Sequence, residues 1–177
     1  SDSTTIPITP VETAVFDAWL KRESKEPQAW VRSCGFTAKP GQMSFVSGIS
    51  GSLSNVLLGV ENHNGRWDYA GLPGRLPAGS YSLNARMSMA GATAAATGWA
   101  LGRYRFENYK SRKSSKFPTL VWPARADKTR VNAMVGAISL VRDLINTPAE
   151  DMGPSQLALA ARNLAKKFNA NIKVISG

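Results

Sequence analysis

With 177 residues, 43% of them hydrophobic and 19% charged, the chain has an ordinary globular composition and enough length for one well-buried domain with residues to spare. No run approaches eighteen consecutive apolar residues, and the opening SDSTTIPITP has neither a basic n-region nor an apolar h-region, so no membrane span or secretory signal is visible. The single cysteine, Cys34, excludes an internal disulfide and a cysteine-based zinc site, and it fits a reducing cytoplasm.

In chain order, Thr9-Pro10-Val11-Glu12 reads as a capping box with proline at the first helical position. Val11, Ala14, Val15, Ala18 and Trp19 then recur at helical spacing, which predicts a helix from Pro10 to Arg22. A second short helix is expected from Pro27 to Cys34, stopped at Gly35 and anchored by Trp30 and Val31, with Cys34 as a small apolar filler. From Gln42 the period changes to two. QMSFVSG, a Gly-Ser corner at Ile49 to Ser52 and LSNVLLGVE together predict a β-hairpin. Gly48 and Gly51 therefore belong to a hairpin corner, since a phosphate loop has to lead from a strand into a helix N-terminus.

A helical turn is expected near Tyr69 to Leu72, turns at Pro73-Gly74 and Pro77-Ala78-Gly79, and a strand from Ser80 to Ala85. AGATAAATGWAL, Ala90 to Leu101, is small enough for a helix packed closely on a sheet, with Trp99 as its bulky contact. Phe117 to Trp122 reads as a short strand between prolines. A long helix from Lys128 to Asn146 carries the stripe Val131, Met134, Val135, Ile138, Val141 and Ile145, and Pro148 ends it. Gly153-Pro154 then starts a further helix with Leu157, Ala160, Ala161, Leu164 and Phe168 on one face, and NIKVIS reads as a strand. One helix and one strand cannot bury a core, so this last piece needs a sheet to lie on. Failing that, its helix projects away, packs on another copy or borrows a surface of the first domain.

Chemistry-bearing residues are sparse. His63, in the turn-like ENHNGRW, has no metal-ligand spacing around it and reads as a solvated loop histidine. The net charge of +10 concentrates between Arg103 and Arg130, where Arg103, Arg105, Lys110, Arg112, Lys113, Lys116, Arg125, Lys128 and Arg130 face only Glu107 and Asp127. Such a stretch, interleaved with Tyr104, Phe106 and Tyr109, offers nucleic-acid binding as the alternative function; a solvated face or a match to an acidic partner is the plainer reading.

RDLINTPAEDMGPSQLALAARNLA, Arg142 to Ala165, resembles the inter-domain junction of the leucyl (cytosol) aminopeptidase family, where a linker helix ends in Arg-Asp-Leu-x-Asn-Thr-Pro-Ala and the catalytic domain begins Asp-Met-x-Pro. GWALGRYRFENYK, Gly98 to Lys110, is similar to the aromatic-rich segment of that family's N-terminal domain. The resemblance implies an α/β fold, a macro-domain-like mixed sheet flanked by helices, then a linker helix and an incomplete second domain. On this reading 1–126 is the non-catalytic N-terminal domain, 127–147 the linker helix, and 148–177 the first helix and strand of the catalytic domain.

For function the resemblance implies zinc- or manganese-dependent removal of N-terminal residues from peptides by cytoplasmic homohexamers, with two metals, a bicarbonate and a lysine at work. The family's Gly-Lys-Gly-x-x-Phe-Asp-Ser-Gly-Gly and Asn-Thr-Asp-Ala-Glu-Gly-Arg motifs, which carry the ligands and the lysine, are not in this sequence. Glu150 and Asp151 are neighbours in the hinge, explained by capping and solvation, and Asn146, Thr147 and Pro148 are helix-stop chemistry. No residue is assigned a catalytic, cofactor-binding or metal-binding role. The expectation is the front portion of a longer aminopeptidase, its partners being the missing catalytic domain and further subunits, and inactive by itself. A nucleotide or ADP-ribose ligand, which a macro-like fold would permit, ranks last because no Asp and Gly-rich binding loops stand out.

Overall fold

The structure, a computed structural model, describes residues 5–48, 51–109 and 116–175. The chain divides into two compact units, Ser1–Val135 and Gly136–Gly177. In the first unit, β1 (Ile6–Glu12), β2 (Met43–Ser47), β3 (Leu53–Val60), β4 (Ser80–Leu83) and β5 (Thr119–Leu120) form one sheet in the order β2-β3-β1-β4-β5. β2 runs antiparallel to β3, and the other neighbours are parallel. The expected mixed sheet flanked by helices is thus present, with β5 shorter than the Phe117 to Trp122 stretch.

The sheet is covered on both faces, which explains why Val56, Leu57, Leu58, Gly59 and Val60 are buried in unbroken succession. Side chains alternate across it. Ile8, Val56, Leu58 and Val60 pack with Tyr69, Leu72, Tyr81 and Trp99 on one side. Val11 and Leu57 pack with Leu20, Val31 and Phe36 on the other. Each such fully buried side chain contributes roughly 1.5–3 kcal/mol relative to exposure.

The helix expected from Pro10 to Arg22 is not formed. Residues 6–12 are the middle strand, and only a 3₁₀ turn (Thr13–Val15) and the short helix α1 (Phe16–Leu20) follow. Burial from two sides outweighs the local capping signal. Pro10 is tolerated there for a specific reason. The backbone N–H of Asn84 donates to the carbonyl of Ile8 at 2.7 Å, so the polar groups of Ile8 face β4. Two residues later Pro10 faces the same way, but the β4 ladder already stops with Leu83 opposite Ile8, so the missing N–H removes no ladder bond.

Helix α2 (Lys25–Ser33) ends as expected, with Gly35 at φ +65°. Val31 is buried, but Trp30 is 40% exposed and donates its indole N–H to the carbonyl of Phe45 at 2.9 Å. Cys34 is exposed rather than a core filler, with Sγ 3.1 Å from the Ser44 hydroxyl. The hairpin of β2 and β3 forms as expected; Ile49 and Ser50 of its corner lie outside the described residues.

Helix α3 (Arg66–Ala70), with a 3₁₀ turn (Leu72–Gly74), and helix α4 (Met89–Gly102) cover the Tyr69 side of the sheet. Ser88 caps α4, accepting from the Gly91 N–H at 3.1 Å. Thr93 and Thr97 satisfy their hydroxyls on the carbonyls of Met89 and Thr93, both at 2.7 Å. α4 lies on α3 at backbone contact: a Cβ at Gly98 would sit 2.0 Å from the Arg66 carbonyl oxygen, and one at Gly102 1.9 Å from that of Ala70.

The long helix α5 (Lys128–Asn146) forms as read, and its Val131 is buried in the first unit. In the second unit, Val141 and Ile145 are exposed and Thr147 closes the helix, its Oγ1 donating to the Asp143 carbonyl at 2.6 Å. Helix α6 (Pro154–Lys167) starts at Gly153 with proline in its first turn, and it ends with Asn169 at φ +51°. Its Leu157, Leu164 and Phe168 are exposed. The strand expected at NIKVIS does not form over 171–175, and Ser176 lies outside the described residues. A lone extended segment has no neighbour to take its backbone groups.

The α3–α4 contact makes an unambiguous prediction. Gly98→Ala and Gly102→Ala should each lower the thermal midpoint, an overpacking cost at the upper end of about 1–3 kcal/mol outweighing the roughly 1 kcal/mol helix advantage of alanine. Gly136→Ala in α5, where a Cβ meets nothing within 4 Å, should instead raise helicity. Calorimetry and far-ultraviolet circular dichroism read both, and unchanged midpoints in the first two variants would refute the contact.

Candidate functional site

In a sheet with parallel strands, ligands gather outside the carboxyl ends where the chain turns to opposite sides of a central strand. Here that edge carries Glu12 at the end of β1, Glu61 to Gly65 after β3, and Asn84 after β4. Glu12 Oε1 accepts from the backbone N–H of His63 at 3.2 Å and lies 3.7 Å from its Nε2. His63 is therefore half-buried against a carboxylate, not simply solvated, and its Nδ1 is buried with no partner among the described residues. Asn64 continues the cluster, its Oδ1 accepting from the Ser88 hydroxyl at 3.3 Å.

Tyr69 lies beneath, fully buried, its hydroxyl without a partner among the described residues. Burial pushes its pKa well above the ordinary 10.0, and the charges of Asp68 and Glu12 push the same way. Burial also raises Asp68, a hydrogen bond from the Glu61 backbone opposes this, and the charge of Glu61 adds to it. The cluster joins a base to an orienting carboxylate but offers no nucleophile, because Ser88 serves as a helix cap. Its contribution is mechanical: it fastens the loop after β3 to the end of β1. Fifty-one residues separate Glu12 from His63, and no local spacing marks the pair.

Among the described residues no group of three His, Cys, Asp or Glu could hold a metal ion. Glu150 and Asp151 lie exposed in the turn after α5, where the Asp151 N–H donates to the Pro148 carbonyl at 2.9 Å. Asn146 ends α5, and Thr147 and Pro148 follow as its stop.

Arg103 stacks over Phe117 at 5.7 Å, Lys128 over Trp122 at 5.9 Å, and Arg105 donates to the Tyr104 carbonyl at 2.9 Å. Lys110, Arg112 and Lys113 lie outside the described residues. The cavity beside Thr9, Asn55 and Asn84 holds about 170 Å³, below the roughly 300–1,000 Å³ of a drug-sized ligand pocket.

The Tyr69 environment fixes a pH dependence. A raised folded-state pKa favours the neutral phenol, so its stabilisation is complete below the ordinary value of 10.0 and declines as pH rises past it. In urea midpoints measured from about pH 8 to about pH 11, Tyr69→Phe should cost little at the lower end, since the hydroxyl bonds nothing inside. It should flatten the alkaline decline, leaving a residual slope from Tyr81, which burial also raises. An unchanged decline in Tyr69→Phe would contradict the placement.

A profile of the M17 aminopeptidase N-terminal domain matches residues 6–123. A probable cytosol aminopeptidase of Wolinella succinogenes is 33% identical over 95 residues, 46% of this chain and 20% of that protein. The crystal structure of the cytosol aminopeptidase of Coxiella burnetii superposes with a TM-score of 0.84 at 36% identity, covering 100% of this chain and 39% of that one. The bottromycin maturation enzyme BotP, at 23% identity and a TM-score of 0.70, shares the fold over 98% of this chain and 40% of its own. This chain thus corresponds to well under half the length of these relatives. None of their names points to nucleic acid. With a matching profile over most of its first unit and a mixed sheet of the same architecture, the chain belongs to the M17 aminopeptidase family, whose N-terminal domain it contains.

Proposed function

We propose that the chain works as the N-terminal, non-catalytic portion of a leucyl aminopeptidase that removes N-terminal residues from peptides. The observation that carries this reading is the Coxiella burnetii superposition, which uses all of this chain and only 39% of that protein. In this reading 1–126 form the N-terminal domain, 127–147 the linker helix, and 148–177 the opening of the catalytic domain. The exposed Leu157, Leu164 and Phe168 of α6 suit a helix whose apolar face belongs against further structure.

Zinc or manganese is proposed as the metal of the longer protein, manganese finding support in the structure of BotP in complex with Mn. Such ions polarise a peptide carbonyl and activate water. The described residues of this chain do not fit that role, since they bring no three ligands together. A hexamer in the cytoplasm is proposed for the longer protein. The relatives' naming as cytosol enzymes supports the location, and among the described residues no helix is long and apolar enough to cross a membrane.

The test is hydrolysis of leucyl p-nitroanilide by the purified chain with manganese or zinc added. No turnover is expected from the chain alone, and restored turnover when the remainder of a family member is fused after Gly177. Chelator-sensitive turnover by the chain itself would overturn the reading.

A further inference from the structure

The Tyr69 side of the sheet loses its cover at the outer strand. Phe45 of β2 stands opposite Val56 of β3, so the two side chains share that face, yet Val56 is fully buried and Phe45 is 41% exposed. Trp30 of α2 comes to the same border from the Val31 side and donates to the Phe45 carbonyl at 2.9 Å. Between this aromatic pair and the segment after the 3₁₀ turn Leu72–Gly74 lies an open groove of about 660 Å³, whose lining includes Leu53, Arg75, Leu76 and Pro77. That volume falls within the roughly 300–1,000 Å³ of ligand sites.

The groove is already formed and carries one sign of charge. The indole hydrogen bond holds the Trp30 ring in place, and Leu76, 7% exposed, gives a fixed apolar floor, so little freedom is lost when a partner settles. Arg75 is exposed, and its Nη1 donates to the Gly41 carbonyl at 2.7 Å, which steadies the guanidinium and leaves it further N–H groups. Arg105 adds a second cation at the same end, since a Cβ on Gly74 would lie 3.8 Å from its Nη2. None of the lining residues is a carboxylate, and neither arginine forms an ion pair among the described residues.

Two aromatics, a proline and an arginine are the residue types that concentrate at protein interfaces, and the uncompensated cations select an acidic partner. A second copy of this chain is a poor occupant, because every copy carries +10 and repels the next. Nor does a foreign strand suit the site, since the Phe45 carbonyl is taken. We propose that the groove binds an extended segment of another protein through its side chains. A bulky apolar residue of that segment sits between Phe45 and Pro77, and acidic residues following it meet Arg75 and Arg105. The site does not depend on the peptidase reading, because binding is measured on this chain directly.

The experiment is a nuclear magnetic resonance titration of the full chain with acetyl-Ser-Leu-Phe-Glu-Glu-amide, following the Trp30 indole N–H and the Phe45 ring signals. Both should move saturably, with affinity falling as salt is raised. Phe45→Ala removes an exposed ring and should weaken binding roughly tenfold, read on Trp30. Arg75→Gln should weaken it roughly threefold and reduce the salt dependence. The same peptide with Lys-Lys in place of Glu-Glu, or Ser-Ser in place of Leu-Phe, should bind much more weakly. Equal binding of either control peptide or unchanged affinity in Phe45→Ala would overturn the proposal. So would a Trp30 signal that moves with protein concentration alone, the mark of a second copy, or binding to phosphatidylserine vesicles in place of the peptide. Loss of peptide binding when the remainder of a family member is fused after Gly177 would likewise overturn it, giving the groove to that remainder.

Discussion

Backbone contact between α3 and α4 is the constraint on which the Tyr69 side of the molecule depends. Without side chains at Gly98 and Gly102, one helix rests directly on the carbonyls of Arg66 and Ala70. That approach seats Tyr69 and Leu72 against the sheet and fixes the backbone at Arg66. The small residues of α4 serve the same end: nine of its fourteen positions are buried, which a helix of larger residues could not match so near a sheet. Its two threonines return their hydroxyls to the preceding turn, so this closeness leaves no hydroxyl of theirs unsatisfied.

The sequence made visible whatever rests on local periodicity or punctuation. The hairpin, the strand at Ser80, the alanine-rich helix, the long helix and the glycine stop of α2 follow from such signals. What stayed hidden depends on distant partners. Ile6–Glu12 has a good helix-start pattern, yet it becomes the middle strand because Val56–Val60 and Tyr81–Leu83 pair with its two edges. At the other end Ile172, Val174 and Ile175 give 171–175 the look of a strand, but no neighbouring strand takes its backbone groups and none forms. The pairing of Glu12 with His63 was equally out of reach, since it unites residues from separate elements. The family resemblance was legible because its junction motif is contiguous in the chain.

The two units divide the work of the sequence unevenly. The first closes two apolar clusters around its sheet. In the second, the apolar residues of α6 and of 171–175 are exposed.

One small contact at the rim of the sheet has a wider reach than its size implies. β2 is an outer strand, and Trp30 delivers its indole hydrogen to the main-chain oxygen of Phe45. A register irregularity between Val46 and Ser47 interrupts the same border two steps on. An oxygen already engaged and a kinked margin make a poor template for a foreign strand, so copies of this protein are discouraged from growing a shared ribbon across their flanks.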